Sequence, residues 1–511
     1  MPLASQQRPL QGALFFLVCT AAVASPAWAQ VPSAASPSPA SASPEALRAH
    51  GVADQLIGYL RSVLAWDDRP DQRATPAAIS PTLIAAVNRH PEARIAAEQR
   101  QTSAYATREA YAGYLPQISA NVEGGKRSND PVSTPWSSVP AYEDNSRAVS
   151  LVGRQLLYDF GATSGQIQAK QAMEAAVQFR AQAKRSELTL RALAAWLEVF
   201  RTRSHVRAAQ MNVLSRQQLL SFIQEREQLG ASSAGDVLRA RARLADAQAA
   251  AVQARSRLSV AEAVYVEFFN QAAPEQLSLP QSPEVDLKAF ADLRPWLNAH
   301  PQLAEIQRQI DAAQAESQAA RAALLPSVSV DVNVRRRDLR GAGVPGTDWT
   351  AGLAVRQNLY AGGADQARAS QAEQRVREAQ LNRDNVRQQL ERLLSQTVAD
   401  VDNAVLGVRS RKESAQVAAS AFEAVREQFA FRRGSLLDVL RAQEELHQAT
   451  RDLIDSLVDE TSSRYRLLHL ASRLTPLFGV PADAPEPAVP GSPVPQWLPR
   501  LGKPEAPKPS P

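Results

Sequence analysis

Two hydrophobic rhythms divide this chain. Between Ser327 and Arg335 every second residue is a valine, so that Val328, Val330, Val332 and Val334 alternate with Ser327, Ser329, Asp331, Asn333 and Arg335. A period of two predicts a strand with one apolar and one polar face. The return strand puts Trp349, Ala351, Leu353, Val355 and Leu359 on one face, with Gln357 as the polar exception, and Thr350, Gly352, Arg356 and Asn358 on the other. Ile118, Ala120 and Val122, answered by Val149, Leu151 and Leu157, spell a similar hairpin earlier in the chain. Elsewhere the spacing is three and four. Ala372, Val376, Ala379, Val386, Leu390, Leu393, Val401, Val405 and Val408 predict one seam of a long helix that packs as in a coiled coil. Helices over about Ala162–Gln228 and Ala364–Ala430 would each reach on the order of 100 Å at 1.5 Å per residue.

The whole pattern occurs twice. His90-Pro91-Glu92 recurs as His300-Pro301-Gln302, and Leu115-Pro116 recurs as Leu325-Pro326, both 210 residues on. Gln155-Leu156-Leu157-Tyr158 recurs as Gln357-Asn358-Leu359-Tyr360, and Asp236-Val237-Leu238-Arg239-Ala240 as Asp438-Val439-Leu440-Arg441-Ala442, both at a spacing of 202. The length difference therefore falls inside the hairpins. The expected organisation is a first repeat over 81–280, with its hairpin at 116–159, and a second over 281–476, with its hairpin at 326–360. Each repeat reads as helix, hairpin, long helix and return helix, the last two separated by a Gly/Ser break at 229–235 or 432–435. Pro116 and Pro326 mark the start of each first strand.

Composition narrows the class. Aromatics make up only 6% and the middle of the chain is rich in Ala, Arg, Gln, Glu and Leu, which suits long helices with thin seams. Lys and Arg (57) nearly balance Asp and Glu (52) and are interspersed with them, so they read as solvated helix faces and no nucleic-acid partner is expected. Residues 1–29 read as a signal peptide: Arg8, an apolar run from Gly12 to Ala24, and Ala27-Trp28-Ala29 before Gln30. The single cysteine, Cys19, lies within it, so disulfides, zinc and a Cys nucleophile are excluded from the mature chain. Residues 30–80 read as a linker plus an extra amphipathic segment, with Leu56, Ile57, Leu60 and Leu64 on one helical side, and 477–511 as a Pro-rich tail.

The strands are about ten residues long, the length of a tilted membrane-spanning strand. On this reading Val328, Val330, Val332, Val334, Leu353, Val355, Val149 and Leu151 face lipid. Four strands cannot close a barrel, and an open edge in lipid strands backbone N–H and C=O groups at several kcal/mol each. Membrane barrels begin at about eight strands, so copies of the chain must share one; three copies would supply twelve strands. Longer loops belong on the outer face of such a barrel, and the tip Lys126–Asn145 is longer than Leu339–Thr347.

From Leu83 to Pro476 the sequence resembles the TolC-like outer-membrane factor family. The likeness rests on the His90-Pro91-Glu92 helix start, the Leu-Pro step into each first strand, Gln357-Asn358-Leu359-Tyr360-Ala361-Gly362-Gly363 and Leu436-Leu437-Asp438-Val439-Leu440-Arg441-Ala442-Gln443. The resemblance implies a mostly α fold with a small membrane β part: a homotrimer in which a twelve-stranded outer-membrane barrel continues into a long α-helical barrel through the periplasm. It implies an exit duct that docks on a periplasmic adaptor and an inner-membrane pump, with outer-membrane lipid around the strands and no cofactor. It places the periplasmic entrance at the Gly/Ser breaks, around Asp236, Arg239, Arg432, Arg433, Asp438 and Arg441. In the family acidic side chains ring that aperture and tyrosine–arginine hydrogen bonds hold it shut. Here Asp438 fits, Arg441 stands at the next acidic position and Phe429 where a tyrosine is expected, which points to a gate held by alternating Asp438 and Arg441 charges. Leu470-Ala471-Ser472-Arg473-Leu474-Thr475-Pro476 and the lack of a lipid-bearing cysteine resemble the type I protein secretion branch, with an ABC-type exporter as the pump. A multidrug efflux factor is the alternative.

Readings of other classes remain at this stage. A periplasmic adaptor or a coiled-coil structural protein would also carry long helical hairpins, though neither needs two valine-alternating strand pairs. Asp236 and Asp438 could simply cap the helices they precede. An enzyme is not expected: Glu444-x-x-His447 is half of a di-iron carboxylate signature with no second copy, and His90 and His300 stand at helix starts before prolines.

Overall fold

The computed structural model describes residues 55–68, 73–139, 142–340, 346–431 and 433–481. The segment 1–29 expected to be a signal peptide, most of the expected linker and tail, and Arg432 of the expected entrance lie outside the described residues.

Helix α1 spans Gln55–Asp68, α2 Pro76–Arg89 and α3 Pro91–Tyr111. Strand β1 (Gln117–Asn129) leads into a small tip hairpin, β2 (Val132–Thr134) and β3 (Ser137–Val139), and β4 (Tyr142–Tyr158) returns. The long α4 (Ala162–Gln228) and the return helix α5 (Ala234–Phe269) complete the first repeat. After short α6 (Arg294–Asn298) the pattern runs again: α7 (Pro301–Ala322), β5 (Ser327–Arg340), β6 (Gly346–Arg356), α8 (Ala364–Ala430), α9 (Leu436–Leu470) and a closing turn α10 (Leu474–Leu477).

The local chemistry of these boundaries is plain. His90 and His300 are N-caps: each Nδ1 accepts the backbone N–H two residues on, from Glu92 at 3.2 Å and Gln302 at 3.3 Å. The prolines that follow occupy the first helical position, where the missing N–H costs nothing. Gly161 and Gly363 sit at positive φ (99° and 82°) just before α4 and α8, where the chain turns from strand into helix.

Near the strands the helices neighbour one another in the order α3–α4–α7–α8, and toward the far tips in the order α5–α4–α9–α8. Small residues set the spacing. A Cβ on Gly165 would meet the Ala319 Cβ at 2.9 Å, so α4 and α7 touch nearly backbone to backbone there. On α8 the buried seam comprises Ala372, Leu390, Leu394, Thr397, Val401 and Val408, while Leu393 and Val405, expected on it, stand out in solvent. From Leu394 onward the buried positions recur every seven residues, at Val401, Val408, Ala415, Phe422 and Phe429, which is the period of a coiled-coil seam.

Midway along the helices a denser core gathers Ile79, Leu83 and Val87 of α2 with Leu188, Leu193, Trp196, Tyr265, Phe269, Tyr465, Leu468 and Phe478. Nearer the tips, Leu56, Ile57, Leu60 and Val63 of α1 join Leu219, Ile223, Phe422, Phe429, Leu440, Leu446 and Ile454. Burying a side chain of this size contributes roughly 1.5–3 kcal/mol, so α1 belongs to the folded unit.

Candidate functional site

Strands β1, β4, β5 and β6 form one antiparallel sheet in that order. Directly paired residues share a face, and the register assigns the faces. Val122 pairs Val149; Leu151 pairs both Ala120 and Val334; Val332 lies opposite Gly153 and Ala351; Val330 pairs Leu353, Val328 pairs Val355, and Val334 pairs Trp349. All eight side chains expected to face lipid thus lie on one side. They form apolar rows that run about 20 Å along β5 at 3.3 Å per residue, close to the band a membrane barrel presents. They are not covered by the protein's helices: Leu353 and Val355 are 72% and 70% exposed.

Two details depart from the alternation. A bulge between Leu156 and Tyr158 gives Tyr158, not Leu157, the place opposite Val328. Strand β6 ends at Arg356, so Leu359 lies beyond it, exposed, before the turn into α8.

The opposite face is charged and cross-linked. Arg154 holds Asp331 at 2.8 Å and Arg335 holds Glu123 at 2.9 Å, while Arg337 pairs with Asp348. One face for hydrocarbon and one laced with ions is the division a water-filled barrel requires. Among the described residues the sheet's outer strands, β1 and β6, each pair on one side only.

At the opposite ends of the long helices stand the two tight turns. Ser233 and Asp236 form a reciprocal capping box: the Asp236 N–H donates to Ser233 Oγ at 3.1 Å, and the Ser233 N–H to Asp236 Oδ2 at 3.2 Å. Ser435 caps α9 in the same way, accepting from the Asp438 N–H at 3.2 Å while its hydroxyl donates to Asp438 Oδ2 at 2.7 Å. Both aspartates therefore serve their own helices. Arg239 approaches Asp236 at 3.6 Å, Arg441 is exposed on α9, and Arg433 donates its backbone N–H to Gln428 O. Phe429 is buried, and the Arg226 guanidinium lies 4.7 Å over its ring and donates to its carbonyl at 3.0 Å. Arg226 thus ties the end of α4 to the end of α8. The sequence offers no signal for this contact, because the two residues stand 203 positions apart.

Between the tips and the central core a polar layer joins α4 to α9. Arg216, almost wholly buried, reaches Glu444; Gln443 donates to Ser215 Oγ at 2.7 Å; His205 meets Asp455 at 3.0 Å. Glu444 and His447 thus belong to packing between the repeats. Burial pushes the His447 ring down to about 4, with Arg451, Arg216 and His205 adding to the effect.

The sequence profile described as outer membrane efflux protein matches residues 83–264 and 294–471, one segment in each repeat. The chain belongs to that family. Its relatives include the outer membrane efflux protein BepC of Brucella suis biovar 1 (strain 1330), 25% identical over 380 residues that cover 72% of this chain and 79% of BepC. Among solved structures, a membrane protein from Pseudomonas aeruginosa aligns with a TM-score of 0.69 at 18% identity, covering 79% of this chain and 92% of that one. The outer membrane protein VceC from Vibrio cholerae aligns at 0.67 and 17% identity, covering 77% and 96%. The fold is theirs. As a member of the family the protein is an outer-membrane channel that extends into the periplasm, a passive conduit and not an enzyme.

Proposed function

We propose that three copies of the chain join edge to edge into a twelve-stranded barrel continued by a helical tunnel, the exit duct of a type I protein secretion system. One observation carries the assembly: among the described residues the sheet ends in two strands of opposite direction, each with one edge unpaired. Strand β6 of one copy can pair antiparallel with β1 of the next, a head-to-tail contact that closes into a ring. The helices repeat this logic. Helix α5, on the β1 side of the order, exposes Val252, Val260 and Val264, and α8, on the β6 side, exposes Leu381, Leu406 and Val417. Four-strand units allow eight, twelve or sixteen strands, and the family resemblance selects twelve. The mass of the detergent-solubilised protein tests this: three chains per particle is expected, and a single chain overturns it.

The duct opens at its helical tips on contact with a periplasmic adaptor and an inner-membrane ABC-type exporter. Support for the secretion branch is the Leu470–Pro476 ending and the lack of any cysteine after Cys19, which lies inside the expected signal segment. The family's description and the name of BepC speak of efflux, and a multidrug efflux factor is the second reading. A deletion strain separates them. Loss of a polypeptide from the medium with unchanged drug tolerance supports secretion, and the reverse supports efflux.

Asp438 and Arg441, one helical turn apart and both exposed on α9, supply the charges that hold the tips closed between copies. Replacing both with alanine raises single-channel conductance; Ser435→Ala, which removes the cap alone, leaves it unchanged. Equal conductance in the double variant and the parent counts against this gate.

A further inference from the structure

Helix α1 lies N-terminal to the matched family segments, which begin at residue 83. Its apolar side, Leu56, Ile57, Leu60 and Val63, is at most 3% exposed. That side is buried in the cluster built from α4, α8 and α9 together, thus from helices of both repeats. Polar contacts fix it at several points. The Tyr59 hydroxyl donates to Ser204 O on α4 at 3.0 Å, Arg61 pairs with Glu423 on α8 at 3.2 Å, and Trp66 stands edge-on to Phe200 at 5.1 Å. Arg73 Nε donates to Trp66 O at 3.1 Å and anchors the following chain, and Ala74 then bridges to Pro280 in the connection between repeats.

We propose that α1 is a staple across the two helical hairpins, a conformational restraint that holds the tip of α8–α9 against α4 and must slip or unseat before the periplasmic end of the duct widens. The inference rests on the duct reading above. Its physical basis is where the contacts fall. Those on α4 begin at Phe200 and Ser204, near the central core, whereas Glu423 lies within eight residues of the end of α8. One helix thus touches the middle of the long helix in one repeat and the end of the long helix in the other, the position from which it opposes their relative movement. The energy to release it is set by four buried aliphatic side chains and one exposed ion pair, so the apolar face is the decisive part.

Two variants of the full chain test it, with conductance in planar bilayers as the readout. Leu60→Asp places a carboxylate in the apolar seat and unseats α1; a severalfold higher single-channel conductance is expected. Arg61→Cys combined with Glu423→Cys allows a bis-maleimide with a cleavable disulfide in its spacer to pin α1 to α8, at two positions whose parent side chains meet at the ends of an arginine and a glutamate. The bridged form is expected to hold the channel in its low-conductance state, and cleavage of the spacer to restore the parent's behaviour. If Leu60→Asp is destabilised too far to insert, the cysteine pair alone decides. Unchanged conductance in Leu60→Asp, or openings unaffected by the closed cross-link, overturns the staple. A parent protein that forms no channel at all overturns the duct reading instead, so the two failures are distinguishable.

Discussion

His300 and His447 are held neutral by their surroundings. Burial pushes both rings from the usual 6.5 down to about 4, with His469 beside His300 adding to the effect and Arg451, Arg216 and His205 around His447 doing the same. The unfolded chain takes up protons at these positions near pH 6.5 while the folded protein does not, so their contribution is intact above that pH and is lost as pH falls toward 4. At pH 5 the loss is on the order of 2 kcal/mol per histidine. A thermal unfolding series from pH 7.5 to 5 should show a falling midpoint, and His447→Gln should flatten the slope; an unchanged slope assigns the acid sensitivity elsewhere. Gly165 is the other residue at which a single atom matters. Gly165→Val drives a side chain into Ala319 and Ala315 and should cost about 1–3 kcal/mol, read as a lower dissociation temperature, whereas Gly58→Ala on α1, which meets nothing within 4 Å, should cost nothing measurable.

At the scale of the element, the sheet makes the sharpest demand. Val332 and Asn333 are neighbours in β5 with opposite fates, one on the apolar face and one on the charged face. Val332→Arg should cost about 2–4 kcal/mol in a bilayer because the guanidinium meets hydrocarbon near the midplane. Asn333→Arg adds one more cation to a face that already carries Arg154, Arg335 and Arg337, and should fold normally. Insertion yield into liposomes measures the difference, and equal yields would mean the faces are assigned wrongly. Among the helices, the two long spans and the turns between them were legible because Gly and Ser break otherwise continuous Ala-rich stretches. The seam of α8 was less so: Leu393 and Leu394 are both apolar, and only the neighbouring helix chooses between them.

For the whole molecule the test is how copies meet. With a cysteine fixed at Leu353 in β6, scanning β1 should yield oxidative cross-links between copies from one or more of Ile118, Ala120 and Val122, which belong to the same face of their own sheet. Ser119 and Asn121 should not react, because a one-residue slip turns the side chain to the other face. Cross-links without this period of two would refute edge-to-edge pairing. The same scale explains why the tip contacts went unread. Arg226 over Phe429, Arg216 with Glu444 and α1 across both hairpins each join residues some two hundred or more positions apart, except where α1 meets α4.

The sequence alone determined the alternation of the strands, the helix lengths and the duplication, because each follows from local periodicity or from repetition. The amphipathic side of residues 55–68 was visible too, but its purpose was not. Tertiary structure decided what that side covers and which of two adjacent leucines is buried. Those outcomes depend on which surfaces come to lie opposite one another, and a linear pattern carries a face without naming its neighbour.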